Sequence, residues 1–241
     1  ACLLSKRSRM SQIRAAAPFF GPRGRTPDYG RSMVTGRRIA EEALRAPMTE
    51  AGWQTRAAGW FTRSVDSDQT GVIALGVTSK HKSTGSADVT AYVGLRVEAV
   101  ETVVADICES TPTDYRERTA VSPLGYLMPG ARWRDWHIDT ESAAVVASEL
   151  CAAVESSGLP WLRALATDAD ALLAQVKASP AFDQATGLTR YAVLLAQSGR
   201  VDDALGFITQ RAAALEDRSD PAAEANRRAT ERLRGWLDSL G

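Results

Sequence analysis

Several chemically informative residue types and motifs are scarce or missing. With three cysteines and two histidines in 241 residues, a zinc site or a disulfide framework would use up nearly all of them. No apolar run reaches the roughly 18–20 residues that a membrane-spanning helix needs. The motifs G-x-G-x-x-G, G-x-x-x-x-G-K-[ST], H-E-x-x-H, C-x-x-C and G-x-S-x-G do not occur. We therefore predict no cofactor, no bound metal and no membrane association.

Charge is unevenly distributed along the chain. Residues 1–38 contain nine basic residues and one acidic residue, Asp28, so the remainder is net acidic. Residues 1–32 are rich in glycine, proline, serine and arginine without periodicity, which predicts a disordered basic leader. Such a segment can bind nucleic acid, here through residues 5–38. The alternative is sequence upstream of a natural start at Met10 or Met33.

Composition also predicts the setting of the protein. Arginine outnumbers lysine 25 to 4, alanine is abundant and Asn226 is the single asparagine, a bias typical of a GC-rich bacterial genome. The N-terminal segment lacks the apolar stretch of a secretory signal. Three cysteines give no reason to expect pairing, so we expect a reduced, cytoplasmic protein.

Hydrophobic periodicity predicts strands first and helices afterwards. Residues 35–46 have helical periodicity, which Pro47 interrupts, and short strands separated by turns follow from residue 53. Apolar residues alternate strictly over 89–97, as in an antiparallel strand with one solvated face. Helical spacing then dominates. This order predicts the α+β class, with an antiparallel sheet and flanking helices in a domain at 34–178 and a helical C-terminal extension at 187–240.

His137 is the strongest candidate for catalysis. It lies two residues from both Asp135 and Asp139, so on a strand all three side chains would face the same way. A carboxylate can orient an imidazole for general base catalysis, which predicts an enzyme that uses His137 with Asp135 or Asp139. The alternative is a structural histidine, since Asp139 also stands where a helix cap is expected.

The solvated face of the predicted sheet favours a different function. Tyr92, Arg96 and Arg63 are expected to share this face, and tyrosine, tryptophan and arginine are enriched in binding hot spots. The segment 126–137 is also rich in aromatic residues. Because catalytic motifs are missing, we predict a non-catalytic protein-interaction module. Alternatively, the C-terminal helices cover the face.

Residues 35–178 carry motifs that resemble a bacterial family known only as a domain of unknown function. The resemblance implies an intracellular bacterial α+β domain, and it brings no catalytic residue with it. The segments that carry it are Gly52-Trp53-Gln54-Thr55-Arg56, Trp60-Phe61-Thr62-Arg63, Ala74-Leu75-Gly76-Val77, Arg116-Glu117-Arg118, Gly125-Tyr126-Leu127-Met128-Pro129-Gly130, Trp136-His137-Ile138-Asp139 and Gly158-Leu159-Pro160-Trp161-Leu162.

The C-terminal region has a separate resemblance. Residues 191–205, with Leu194, Gly199 and Asp203-Ala204-Leu205, resemble a tetratricopeptide helix pair. One pair is not an array, because about three repeats are needed to bury a continuous core. The alternative is a helical hairpin that packs on the main domain.

Overall fold

An antiparallel sheet lies at the centre of the fold. The computed structural model describes residues 35–57, 59–78, 85–110 and 115–240, so the predicted leader at 1–32 lies outside the described residues. The strands found in the described ranges are β1 (Gln54–Thr55), β2 (Trp60–Asp66), β3 (Gln69–Thr78), β4 (Ala87–Val97), β5 (Ala120–Pro123) and β6 (Trp136–Ile138). Their order is β1-β2-β3-β4-β5, and β6 pairs with the first half of β4.

Helices precede, interrupt and follow the sheet. Caps explain several of the helix starts: Thr35, Asp168 and Asp220 each accept a hydrogen bond from a backbone N–H in the first turn of the helix they precede. The helices are α1 (Gly36–Glu50), α2 (Glu98–Ile107), α3 (Leu124–Leu127), α4 (Ala143–Ala153), α5 (Leu159–Thr167), α6 (Ala169–Lys177), α7 (Ala185–Gln197), α8 (Val201–Leu215) and α9 (Pro221–Asp238), and a π-helical turn at Val154–Gly158 joins α4 to α5.

The two faces of the sheet differ in composition because successive side chains of a strand point to opposite sides. On β4, Val89, Ala91, Val93 and Leu95 are at most 1% exposed and belong to the main hydrophobic core. We call this side the core face. The other side, the outer face, is defined by the pairing of the strands and carries Trp60, Thr62, Ser64, Thr70, Val72, Ala74, Gly76, Thr78, Asp88, Thr90, Tyr92, Gly94, Arg96, Val121, Pro123 and His137.

A buried ion pair connects the C-terminal helices to the rest of the protein. Both carboxylate oxygens of Glu101 on α2 accept hydrogen bonds from Arg190 on α7, at 2.8 Å each. Glu101 is 2% exposed and also accepts a bond from the Thr119 hydroxyl at 2.9 Å. The described residues from 35 onward belong to one compact unit, in which α7, α8 and α9 pack on one another, and α7 and α9 also pack on α2.

The predicted α+β class is confirmed: the sheet is antiparallel, helices flank it, and helices alone follow residue 138. The expected interruption at Pro47 is wrong, because α1 continues through it to Glu50. Pro47 lies in the last turn, where Met48 is fully buried and the Pro47 carbonyl still accepts a hydrogen bond from Ala51. The burial of Met48 therefore compensates for the backbone N–H donor that Pro47 lacks.

Candidate interaction face

A row of three aromatic rings lies over one part of the outer face. The centroids of Tyr92 and Trp133 are 6.3 Å apart, and those of Trp133 and Tyr126 are 6.4 Å apart, both pairs edge to face. Tyr126 and Trp133 are each 49% exposed. We refer to these three residues as the aromatic row.

The segment from α3 to β6 positions this row by folding back on itself. The Arg132 N–H donates to the Gly125 carbonyl at 3.2 Å, and a Cβ atom at position 125 would lie 2.9 Å from the Arg134 nitrogen. Only glycine tolerates so close an approach of two backbone segments. The loop also bends at Gly130 and Ala131, which have positive φ angles of 89° and 33°.

Hydrogen bonds fix the orientation of Trp133. Its indole Nε1 donates to Asp135 Oδ2 at 3.0 Å, and the other oxygen of Asp135 accepts from the Thr90 hydroxyl on β4. Asp135 therefore joins the loop to the sheet. An indole held in one geometry loses little side-chain entropy when it binds, which is favourable for recognition.

The predicted catalytic residues are arranged around the same strand pair but have different partners. Nδ1 of His137 lies 2.9 Å from Oδ1 of Asp88, its cross-strand neighbour on β4. The imidazole is 62% exposed. Asp135 lies on the same face and binds Thr90 and Trp133, so neither of the two predicted carboxylates binds the imidazole in this structure.

Asp139 instead organises the turn before α4. Its Oδ1 accepts hydrogen bonds from the backbone N–H groups of Glu141 and Ser142 and from the Ser142 hydroxyl, at 2.8–3.0 Å. The bonds from Ser142, followed by the bond from Glu141, hold the pKa of Asp139 below its ordinary value. This carboxylate favours its ionised form for a structural reason.

Arg63 is not on the outer face, which corrects the expectation from the sequence. It pairs with Gly71, whose other neighbour is the buried Leu95, so its side chain projects from the core face. Its Nη1 binds the Ala51 carbonyl at 2.8 Å and the Glu155 carboxylate at 3.2 Å. Tyr92 and Arg96 do share the outer face.

The second part of the outer face holds Arg118. Its guanidinium carbon lies 5.2 Å from the centroid of the Trp60 ring, and Tyr115 packs edge to face on Trp60 at 5.7 Å. Sequence reasoning did not single out Arg118, Asp88 or Thr90. A strictly alternating strand shows that Asp88 and Thr90 face away from the core, but their partners on β6 and in the preceding loop are 49 and 45 residues distant.

The last group of predictions concerns nucleic acid, membranes and metal ions. Of residues 5–38, proposed for nucleic-acid contact, only 35–38 are described. Within the described ranges, no helix combines the length and apolarity required to cross a bilayer. No three histidine, cysteine, aspartate or glutamate side chains converge there in a metal-binding arrangement.

Comparisons of the chain with protein-family models, with curated proteins and with solved structures find no match. The functional argument therefore depends on the side chains of the outer face.

Proposed function

We propose that the protein is a non-catalytic protein-interaction module that binds its partner through the aromatic row. The observation that carries the proposal is the exposure of two neighbouring rings, Tyr126 and Trp133, at 49% each. The described residues include four exposed large hydrophobic side chains, and these two pack edge to face on each other. Aromatic anchors of this kind dominate the binding energy of protein interfaces.

The surroundings of the row support binding rather than simple exposure. Asp135 satisfies the indole N–H, so a partner can cover Trp133 without leaving a buried polar group unpaired. Tyr126 keeps its hydroxyl available for a new hydrogen bond at the rim. Arg132 is exposed in the same loop and adds a further residue type common at interfaces.

The experiment is site-specific crosslinking in cells of the source organism. The photoreactive residue p-benzoylphenylalanine replaces Tyr126 in one variant and Val145, which is 63% exposed on α4, in a matched control. We expect one partner to crosslink at position 126 and not at position 145. Trp133→Ala should then weaken binding of the purified partner at least tenfold, whereas Val145→Ala should leave it unchanged. Equal crosslinking at both positions, or equal affinities of the two alanine variants, would contradict the proposal.

A second candidate is an enzyme that uses His137, and the observation in its favour is the hydrogen bond of 2.9 Å to Asp88. The imidazole is exposed, and a carboxylate on Nδ1 leaves Nε2 for proton transfer. This hypothesis replaces Asp135 or Asp139 as the orienting carboxylate with Asp88. An activity found in a substrate screen should then be lost in His137→Gln and reduced in Asp88→Asn, with unchanged unfolding temperatures. Activity retained in His137→Gln would rule this candidate out.

The proposed setting is the bacterial cytoplasm, which rests on composition alone. Membership of the bacterial domain-of-unknown-function family also stays a proposal, supported by the segments 125–130 and 158–162. The helix pair α7 and α8 corresponds to the tetratricopeptide-like segment. Since α7 packs on α2 and α6, this region supports the alternative of a helical hairpin that packs on the main domain.

A further inference from the structure

The side chain of Arg118 crosses the outer face directly above Gly94, where a larger residue would leave it no room. A Cβ atom at Gly94 would lie 2.5 Å from Cδ and 3.0 Å from Cγ of Arg118. Any larger residue at position 94 would displace the arginine. From Gly94 the side chain extends to the ring of Trp60, two strands away, where the guanidinium stacks.

The guanidinium itself has no polar partner among the residues that the structure describes, and its Nη1 is buried. Burial lowers the pKa of Arg118, and the charge of Glu117 opposes that shift. Glu117 does not neutralise it by direct contact, because its carboxylate binds Arg190 at 2.9 Å. Three other arginines around the sheet each bind a carboxylate: Arg63 binds Glu155, Arg96 binds Glu98 and Arg190 binds Glu101.

A charged guanidinium with a buried, unpaired nitrogen is costly to a fold. Its presence is explained if a ligand supplies the missing acceptor. Arg118 as a whole is only partly buried, so a ligand can reach its other nitrogens. The planar fork of the guanidinium matches the two oxygens of a carboxylate, and one positive charge matches one negative charge.

The neighbouring side chains indicate the body of such a ligand. Trp60 stacks on the arginine, and its cross-strand neighbour Ala74 adds only a methyl group to this surface. An aromatic ring beside one charged fork is suited to a flat, apolar molecule that carries an acid group. We propose that Arg118 anchors a site for a small aromatic carboxylate. This inference does not depend on the proposed protein partner.

Binding of benzoate to the full chain tests the proposal by calorimetry, with benzamide as the uncharged analogue and inorganic phosphate as the alternative anion. Benzoate should bind the wild-type protein and raise its unfolding temperature. In Arg118→Met, which keeps an apolar stem of similar length, affinity for benzoate should fall at least tenfold. Arg116→Met is the matched control, since Arg116 is an exposed neighbour that stacks on Tyr115, and it should bind benzoate normally.

Several outcomes would overturn the inference. They are no benzoate binding to the wild type, equal binding of benzamide, preferential binding of phosphate, or unchanged affinity in Arg118→Met. Stability without ligand gives an independent measurement. If Arg118 serves a ligand, Arg118→Met should unfold at the same or a higher temperature than the wild type, because an unpaired buried charge has been removed. A clear decrease would identify the arginine as a structural residue instead.

Discussion

The eleven residues of β4 alternate between two faces of opposite chemical character. On the core face, aliphatic side chains from Val89 to Leu95 are at most 1% exposed. On the outer face, a carboxylate, a hydroxyl, an aromatic ring, a glycine and a guanidinium follow one another from Asp88 to Arg96. Packing explains every residue of the first set. In the second set, Arg96 binds the nearby Glu98, whereas Asp88, Thr90 and Gly94 have partners far along the chain: His137, Asp135 and Arg118.

This contrast separates the side chains that stabilise the fold from those that the proposed binding would use. The alternating apolar residues bind the strand to the core and leave the other face free to carry chemically varied side chains. Side chains on that face depend on loops for their geometry. Substitutions on the two faces should therefore separate the free energy of unfolding from ligand or partner binding.

The largest contrast is expected between neighbours on β6. Trp136 is 4% exposed on the core face, so Trp136→Ala should reduce the free energy of unfolding by about 3–5 kcal/mol. The next residue, His137, faces solvent, and His137→Ala should change it by no more than about 0.5 kcal/mol. Urea denaturation of both variants measures the difference. Similar losses would show that His137 is a structural residue, as the alternative interpretation of the sequence holds.

A similar contrast is expected within β4. Leu95 is fully buried, and Leu95→Ala should cost about 2–5 kcal/mol because it leaves a cavity in the core. Thr90→Ala removes one hydrogen bond to Asp135 on the outer face and should cost about 0.5–1.5 kcal/mol. Thr90→Ala should nevertheless weaken partner binding, because Asp135 orients Trp133. An intact affinity in Thr90→Ala would mean that the aromatic row does not need this support.

A pair of helical glycines tests how the outer face is supported. Gly125→Ala brings a Cβ atom against the backbone of Arg134, so we expect a loss of about 1–3 kcal/mol and weaker partner binding. Gly206 on α8 has no heavy atom within 4 Å of an added Cβ. Gly206→Ala should stabilise the protein by up to about 1 kcal/mol. If both variants lose stability equally, close packing at Gly125 is not the cause.

The smallest effect is a pH dependence at the edge of the sheet. Hydrogen bonds lower the pKa of Asp139 in the folded protein below its ordinary value of 3.8. The carboxylate of Asp139 therefore binds a proton more readily in the unfolded chain than in the folded protein. Its contribution to the free energy of unfolding is fully present above pH 3.8 and is lost as the pH falls through the folded pKa. Asp139→Asn should make unfolding less dependent on pH in this acid range. An identical acid dependence in wild type and variant would contradict this assignment.

The sequence predicts local features well and long-range features poorly. Alternation in residues 89–97 identifies both the strand and its core face, and the helical periodicity of residues 35–46 identifies α1. The prediction that Arg63 lies on the outer face is wrong, because the register between β2 and β3 cannot be obtained from either strand alone. The hydrogen bond between His137 and Asp88 was missed for a related reason, since β4 pairs with a three-residue strand far along the chain.

The buried pair between α2 and α7 has a consequence for synthesis of the chain on the ribosome. The carboxylate of Glu101 is made 89 residues before the arginine that neutralises it. At an elongation rate of about 5–20 residues per second, this interval lasts on the order of 4–18 s. During that time α2 cannot complete its final packing without burying an unpaired charge. The nascent protein therefore postpones the last step of folding until its C-terminal helices emerge.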